Sequence, residues 1–216
     1  QAWREMAKQV AHEIKNPLTP MRLSVQSFQR KFDPSDENIH QKVDEYSKTL
    51  IQQIDTMSSI ASAFSNFAKM PAQKNEMLNV VEIVNLSLDI FNEDYIQFSS
   101  NKEKIIAKFD RTQLIRVVTN LIKNGIQAIP EGKTPEIVVK VQEEKEQVEI
   151  IVSDNGIGIS EENKPKIFEP KFTTKTSGMG LGLAMVKNIV ETYNGNITFT
   201  SEIEKGTTFR VSFPKE

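Results

Sequence analysis

Two asparagines, Asn120 and Asn124, lie four residues apart in the stretch NLIKNGIQAI. On a helix this spacing places both amides on one face. An asparagine amide offers an oxygen to Mg²⁺ and an N–H to phosphate oxygens, so the pair is suited to a metal-bound phosphate. Paired asparagines on a solvated helix face more often have no function, so this interpretation depends on the motifs that accompany them.

An aspartate, Asp154, ends the apolar run VEIIVSD and is followed by Asn-Gly-Ile-Gly. A carboxylate at a strand end can accept a hydrogen bond from the exocyclic amine of adenine, and Gly156 and Gly158 permit a tight turn or a close approach to a ligand. The alternative is a plain Asp-Asn-Gly turn. A second glycine-rich run, from Gly178 to Gly182, opens a predicted helix, where free N–H groups and the positive end of the helix dipole attract phosphate.

One of the two histidines, His12, lies in the run AHEIKNPLTP. A neutral imidazole nitrogen can attack a phosphorus atom if a neighbouring group takes the other ring proton or stabilises the developing charge. Glu13, rotated by about 100° on a helix, would orient or deprotonate His12, and Asn16, one turn later, would position a water molecule. Pro17 is expected to bend the helix just past this site. His40 lies among polar residues and is interpreted as structural or solvated.

Two amphipathic helices must carry the His12 motif. Apolar residues recur every three or four positions from residue 10 to residue 32, and again from residue 43 toward residue 69. Residues 33–36 predict a turn, with Ser35 or Asp36 as the N-cap of the second helix. A hairpin of this kind leaves much of its seam exposed. It therefore predicts either a homodimeric four-helix bundle or a monomer in which the hairpin packs on the rest of the chain.

Strand and helix patterns alternate after the hairpin. Strands are predicted at Tyr95–Ser99, Ile105–Phe109, Ile137–Gln142, Val148–Ser153, Asn196–Ser201 and Thr207–Phe213, and helices near residues 80–92, 111–129 and 179–193. Short polar loops join the third strand to the fourth and the fifth to the sixth, so a mixed sheet with helices on one face is expected. The stretch from Ser160 to Gly178 has no periodicity, and its length indicates a functional loop such as a lid.

This order of motifs resembles the GHKL ATPase superfamily, and AHEIKNPLTP resembles the phospho-acceptor motif of histidine kinases, close to the nitrogen-regulation type. The resemblance covers nearly the whole chain. It implies that Asn124 ligates Mg²⁺, that Asn120 helps to hold the triphosphate of ATP and that Asp154 binds adenine. The residues that would shape the nucleotide pocket are Gly156, Gly158, Gly178, Gly180, Leu181 and Gly182. Phe168 and Phe172 would belong to a mobile lid.

Two positions depart from the patterns of these families. Many relatives have a basic residue three positions after the second asparagine, where this chain has Gln127. Neutralisation of the phosphate charge then falls to Lys123, Lys171 or Lys175. ATP-hydrolysing relatives of the gyrase type have a glutamate four residues before the Mg²⁺-binding asparagine, where this chain has Asn120. Without that base, transfer to a protein nucleophile is favoured over hydrolysis.

The composition is that of an ordinary globular protein, with 38% hydrophobic and 26% charged residues among 216 and a net charge of -2. No basic block indicates nucleic acid as a partner. The absence of cysteine excludes disulfides and thiol chemistry and predicts a reducing compartment, the cytoplasm. No long apolar run or signal peptide is present. The chain opens inside a helical pattern, which indicates a fragment of a longer protein whose upstream segments would make any membrane contact.

Together these observations predict an α+β chain of two domains. Residues 1–71 would form a histidine-phosphotransfer hairpin that dimerises as a four-helix bundle, and residues 72–216 an ATP-binding α/β sandwich of the GHKL type. The predicted activity is Mg²⁺-dependent transfer of phosphate from ATP to His12 and then to an aspartate of a response-regulator receiver domain, with phosphatase action on that partner through Glu13 and Asn16. The alternatives are a GHKL ATPase that acts as a conformational clamp and a scaffold that binds ATP without transferring it.

Overall fold

A computed structural model describes residues 2–68, 73–169 and 182–216 of the chain. The described residues form two compact units. Residues 2–68 make up the helical unit, and residues 73–169 with 182–216 make up the α/β unit. The domain boundary predicted at residues 71–72 lies outside the described residues. None of the described helices combines the length and the apolar composition that a membrane-crossing segment requires.

The helical unit is a hairpin of two long helices, α1 (Ala2–Lys31) and α2 (Ile39–Ala68). Near the turn Phe28 of α1 stacks on Tyr46 of α2, with ring centroids 4.3 Å apart and planes 9° from parallel. Contact between the end of one helix and the start of the next shows that they run antiparallel. The α-helical backbone of α1 is continuous through both of its internal prolines. The predicted helical hairpin is therefore confirmed.

Side chains within the turn fix where α2 begins. Asp33 Oδ1 accepts hydrogen bonds from the Ser35 amide (2.9 Å) and hydroxyl (2.6 Å), and these bonds lower the pKa of Asp33. Asp36 accepts from the Asn38 amide at 2.9 Å and pairs with Lys42. Because Ser35 and Asp36 are used inside the turn, the first helical bond instead reaches the Asn38 carbonyl, from the Lys42 amide at 3.0 Å. The prediction that Ser35 or Asp36 is the N-cap was wrong by two to three residues.

The α/β unit contains seven strands in two sheets. The strands are β1 (Asn75–Asn79), β2 (Ile96–Ser100), β3 (Ile106–Asp110), β4 (Ile137–Glu144), β5 (Gln147–Asp154), β6 (Asn196–Glu202) and β7 (Gly206–Pro214). Five of them form a sheet in the order β2-β4-β5-β7-β6, in which only β2 and β4 are parallel. The predicted mixed sheet is therefore confirmed. The other two strands, β1 and β3, form a separate antiparallel ribbon that the sequence patterns did not predict.

Three helices cover one face of the five-stranded sheet: α3 (Val80–Asp89), α4 (Arg111–Gln127) and α5 (Gly182–Thr192). The strands alternate accordingly, because the residues facing the helices are buried while Lys140 and Arg210 on the opposite face are exposed. The hydrophobic residues with which the three central strands face the helices are Ile137, Val139, Val141, Val148, Ile150, Val152, Phe209, Val211 and Phe213, all of them buried. A short 3₁₀ helix, Lys164–Lys166, follows the fifth strand.

The central helix α4 is anchored at its first turn. Asp110 Oδ1 accepts a hydrogen bond from the Gln113 amide (3.0 Å), which caps the helix, and Oδ2 accepts from the Lys74 amide (2.7 Å). The Asp110 amide donates to the Tyr193 hydroxyl at 3.0 Å. The apolar stripe of α4 is fully buried at Leu114, Val117, Val118, Leu121 and Ile122. These contacts fix the helix that carries the paired asparagines.

Candidate active site

Asp154 is the last residue of β5, the central strand of the sheet. Its Oδ1 accepts hydrogen bonds from the amides of Gly156 (2.8 Å) and Thr207 (3.3 Å). Burial raises the pKa of Asp154 above its ordinary value, although these two N–H groups act in the opposite direction. Within the described residues no group donates to Oδ2, so one oxygen of a half-buried carboxylate remains available to a ligand.

The loop that follows Asp154 is held by backbone contacts. The Ile157 amide donates to the Ala128 carbonyl at 2.8 Å, and the Ile157 carbonyl accepts from the Glu204 amide at 2.8 Å. A Cβ at Gly156 would lie 2.6 Å from the Ala128 carbonyl oxygen. Gly158 has a φ of +74°, and a Cβ there would collide with the backbone of the β6–β7 turn. The two glycines thus let the loop fit between the end of α4 and that turn.

Three further residues support Asp154, and their roles were not inferred from the sequence. Gly125 lets α4 approach β5, because a Cβ there would lie 3.2 Å from the Asp154 Cβ. Gly206 has a φ of +124° and lies directly against the Asp154 carbonyl. Thr207 is buried and supplies the second amide to the carboxylate. A glycine inside a helical pattern was the only local signal for Gly125, and the other two meet Asp154 only through strand pairing.

Asn120 and Asn124 lie at the border between the buried and exposed sides of α4. The Asn124 Nδ2 atom is buried and has no hydrogen-bond partner among the described residues. Buried amides normally have partners, so this atom is suited to a bound ligand. Asn120 Nδ2 donates to the Arg116 carbonyl at 2.8 Å, and a Cβ at Gly182 would lie 2.8 Å from Asn120 Oδ1. The first residue of α5 therefore lies against the Asn120 amide.

Phe168 packs at the edge of the sheet. Its ring meets Phe199 and Phe209 edge to face, at centroid distances of 5.8 and 6.5 Å. The Lys187 ammonium of α5 lies 5.7 Å from the same ring, within cation–π range. The other predicted lid and pocket residues, Phe172, Gly178, Gly180 and Leu181, lie outside the described residues. Among the candidate cations Lys123 is exposed, and Lys171 and Lys175 also lie outside the described residues.

The helical unit carries the candidate nucleophile. His12 lies on α1 and is exposed, as is Asn16 one turn later, while Glu13 is half-buried and Pro17 is buried. His12 and Asn16 therefore present their side chains to solvent on adjacent turns, where a second protein domain can reach both.

The residues present fit a magnesium ion bound through a nucleotide. No group of three or more His, Cys, Asp or Glu side chains that could hold a metal occurs in the part of the chain that the structure describes. Mg²⁺ in phosphoryl-transfer sites takes one or two protein ligands and completes its shell with phosphate oxygens and water. Asn124 Oδ1 would supply one such ligand, and the buried Nδ2 of the same amide, which has no partner among the described residues, is suited to donate to a phosphate oxygen of the nucleotide.

Comparison with known proteins agrees with this geometry. Residues 2–73 match the His Kinase A (phospho-acceptor) domain, and residues 109–216 match the family of histidine kinase-, DNA gyrase B- and HSP90-like ATPases. The nitrogen regulation protein NtrY of Azorhizobium caulinodans is 32% identical over 225 residues, which cover 100% of this chain and 29% of that protein. The chain thus spans about a third of the length of such curated relatives.

The chain is also similar to solved structures of histidine kinases. The catalytic domain of histidine kinase ThkA is 31% identical, with a TM-score of 0.59 over 66% of this chain and 97% of that domain. A structure of ThkA in complex with the response regulator protein TrrA has a TM-score of 0.65, at 26% identity, over 98% of this chain and 61% of that one. The chain therefore belongs to the sensor histidine kinase family and contains both its phospho-acceptor region and its ATPase-like region.

Proposed function

We propose that this chain binds Mg-ATP in the α/β unit, phosphorylates His12 and passes the phosphoryl group to an aspartate of a response-regulator receiver domain. The observation that carries the proposal is the Asp154 carboxylate, which is half-buried at a strand end with Oδ1 bonded and no described group donating to Oδ2. The exocyclic amine of adenine is a donor of the right kind for Oδ2. Gly156 and Gly158 then bring the loop backbone alongside the base.

The triphosphate would extend along α4 toward the start of α5. Asn124 would hold Mg²⁺, whose charge offsets that of the phosphates, and Asn120 would donate to a phosphate oxygen after exchanging its bond to the Arg116 carbonyl. Gly182 begins α5, where the unpaired N–H groups of the first turn and the helix dipole favour anions. Gly178, Gly180 and Leu181 precede this turn in the sequence and would complete the cradle.

In the transfer step a ring nitrogen of His12 attacks the γ-phosphorus. The new N–P bond forms as the bond from the γ-phosphorus to the bridging oxygen breaks, and ADP departs with the bond electrons. The proton on the other ring nitrogen is stabilised by, or lost to, Glu13. The exposure of His12 supports the proposal, because the nucleophile must meet first a nucleotide held by another unit and then a separate protein.

Two reasons support an aspartate of a receiver domain as the second acceptor of the phosphoryl group: the chemistry of the transfer and the similarity of this chain to ThkA. Phosphohistidine can pass its phosphoryl group to a carboxylate, and ThkA has been crystallised in complex with a response regulator. The hairpin would dimerise, because both of its helices expose large apolar side chains, among them Leu23 at 61% and Ile51 at 57%. A dimeric four-helix bundle would bury this surface.

The decisive experiment replaces His12 by glutamine in the full chain and follows the γ-phosphate of labelled ATP. Wild type should acquire acid-labile, alkali-stable phosphate, which is typical of phosphohistidine. His12→Gln should lose at least 99% of the label and still bind Mg-ATP, and the matched variant His40→Gln should label normally. Label retained on His12→Gln would move the acceptor elsewhere. Mg-ATP hydrolysed without any labelled protein would favour a conformational clamp, and bound but unreacted ATP would favour a scaffold.

A phosphatase role for Asn16 is proposed separately. If its amide positions the water that attacks an aspartyl phosphate, Asn16→Ala should slow dephosphorylation of the partner about tenfold or more while His12 phosphorylation is nearly unchanged. The rate is measured on purified phosphorylated receiver domain, with His12→Gln in both samples so that back-transfer cannot contribute. Equal rates with and without the Asn16 amide would exclude this role.

A further inference from the structure

The loop from Asp154 to Ile159 is tied at both ends to the β6–β7 hairpin. At its start the Thr207 amide donates to Asp154 Oδ1 at 3.3 Å. At its end the Ile159 amide donates to Ser201 Oγ at 2.8 Å. Ser201 and Thr207 are register partners in β6 and β7, and their hydroxyl oxygens lie 2.8 Å apart. The two ends of the loop are therefore joined through Ser201 and Thr207, which contact each other through their hydroxyl groups.

The bonding capacity of the Ser201 hydroxyl is fully used. A serine hydroxyl has one donor and two acceptor positions. Ser201 Oγ accepts from the Ile159 amide and lies within hydrogen-bond distance of both the Thr207 hydroxyl (2.8 Å) and the Gly206 carbonyl (3.2 Å). All three partners belong either to the loop or to the residues that contact Asp154. An alanine at this position would leave the Ile159 amide without its acceptor and the buried Thr207 hydroxyl without this contact.

We propose that Ser201 is a positioning residue for recognition of the adenine ring. It acts through Ile159 and Thr207 and has no need to touch the nucleotide. Because both ends of the loop are fixed, Asp154 Oδ2 stays at a constant distance from the loop backbone. A purine with a 6-amino group can then donate a hydrogen bond to Oδ2, whereas a purine without that group cannot. The inference deepens the proposed function and rests on adenine binding at Asp154.

The test compares two nucleotides on four forms of the full chain. Mg-ATP and the magnesium complex of purine riboside triphosphate, which lacks the 6-amino group, are titrated into wild type and into Ser201→Ala, Ser201→Thr and Thr208→Ala. Thr208 is the matched control, because its hydroxyl pairs with Ser153 at 2.9 Å in the same sheet without contacting Ile159. Ser201→Ala should bind ATP about tenfold more weakly and the analogue nearly as well as wild type, because one bond to a buried group is lost.

Ser201→Thr keeps a hydroxyl on the same Cβ and should restore the preference for ATP to within about twofold of wild type. Thr208→Ala should also retain that preference. Equal losses for both nucleotides in Ser201→Ala, or the same reduced preference in Thr208→Ala, would overturn the inference, since either result indicates general support of the hairpin. A wild-type chain with no preference for ATP would instead contradict adenine binding at Asp154.

Amide hydrogen exchange tests the same contact without a nucleotide. In wild type the Ile159 amide should be protected, and Ser201→Ala should accelerate its exchange at least tenfold. The Ile157 amide, which donates to the Ala128 carbonyl, should keep its wild-type rate and so report that the fold is intact. Rapid exchange of Ile159 in wild type would overturn the inference even if Ser201→Ala failed to fold.

Discussion

Ionisation of the Asp154 carboxyl group has opposite effects on the stability of the fold and on the proposed binding of adenine. In the proposed complex the ionised carboxylate would accept a hydrogen bond from the adenine amine, but burial raises its pKa and makes the charge costly in the folded chain. A folded-state pKa above the unfolded value means that the proton stabilises the folded state. That stabilisation is complete below the unfolded pKa and is lost as the pH rises through the folded pKa. Above that folded-state pKa the ionised carboxylate is a charge that weakens the fold.

Replacement of Asp154 by asparagine should separate these two effects. Asp154→Asn should bind ATP and ADP more weakly by the same factor, about thirtyfold, because both share the adenine whose amine loses a charged acceptor. At a pH above the raised pKa of Asp154 the same variant should melt higher than wild type, by on the order of 2 °C, since a half-buried charge is removed. Calorimetric titration and thermal unfolding measure the two quantities.

The gain in melting temperature should shrink as the pH falls through the raised pKa of Asp154, because the wild-type carboxyl is then neutral as well. Asp94→Asn is the control, since Asp94 is exposed in the turn before β2 and should change neither quantity. A variant that binds ATP as wild type does would remove Asp154 from the nucleotide site.

At the scale of elements, the long helices and the central strands could be predicted from periodicity because each shows one apolar face. The strand β1 was missed, since Leu78 is its only buried residue and the rest of NEMLN is exposed or half-buried. The helix end at Asp89 was placed three residues late. Sequence patterns contain little information about such short or half-exposed segments.

The supporting residues of the site were missed for a different reason. Asp154 and its loop could be identified from local residues, but Thr207 and Ser201 meet them across strand pairs, more than 40 residues away in the chain. Gly206 has no room for a side chain because the end of β5 lies against it. These contacts form only when the strands pair, so the sequence around Asp154 does not indicate them.

Two glycines in loops of the α/β unit permit a matched test of crowding. Gly158 and Gly132 both have positive φ, +74° and +85°, so alanine should strain the backbone at each by about 1–2 kcal/mol. A Cβ at Gly132 has nothing within 4 Å, whereas one at Gly158 meets the Glu202 carbonyl. Gly158→Ala should therefore weaken ATP binding at least tenfold, and Gly132→Ala should lower the melting temperature but keep affinity within about twofold.

Titration calorimetry and thermal unfolding of the two variants show whether ATP binding is weakened by backbone strain or by the steric clash of the new side chain. Equal losses of affinity would show that backbone strain alone disturbs the site, against the packing of Gly158 described above.

For the whole molecule, the helical unit presents the apolar surface that a second copy would bury. Ile51 and Ile54 lie three residues apart on α2 and are 57% and 50% exposed. On the α/β unit Leu86 of α3 and Ile90, the residue directly after α3, are similarly exposed, at 48% and 64%. Exposure alone therefore does not identify an interface, and the two patches need a direct comparison.

The double change Ile51→Glu with Ile54→Glu should convert a dimer into a monomer. Burial of each isoleucine contributes about 1.5–3 kcal/mol, and a symmetric interface contains each twice, so the dimer should weaken by roughly a thousandfold or more. Sedimentation equilibrium measures the mass. The control, Leu86→Glu with Ile90→Glu, should leave the mass unchanged. A monomeric wild type, or a dimer disrupted only by the α3 change, would contradict a dimer formed through the hairpin.

The middle of the loop from Asp154 to Ile159 is held by backbone atoms, through the Ala128 carbonyl and the Glu204 amide that bond to Ile157. Such bonds survive almost any substitution at the partner positions, because every residue has a carbonyl and all but proline have an amide hydrogen. Neutral drift can therefore replace Ala128 or Glu204 without moving the loop, while Gly156 and Gly158 tolerate no side chain. The loop should therefore keep its shape under most substitutions at the positions that bond to it, while a side chain at either glycine would displace it.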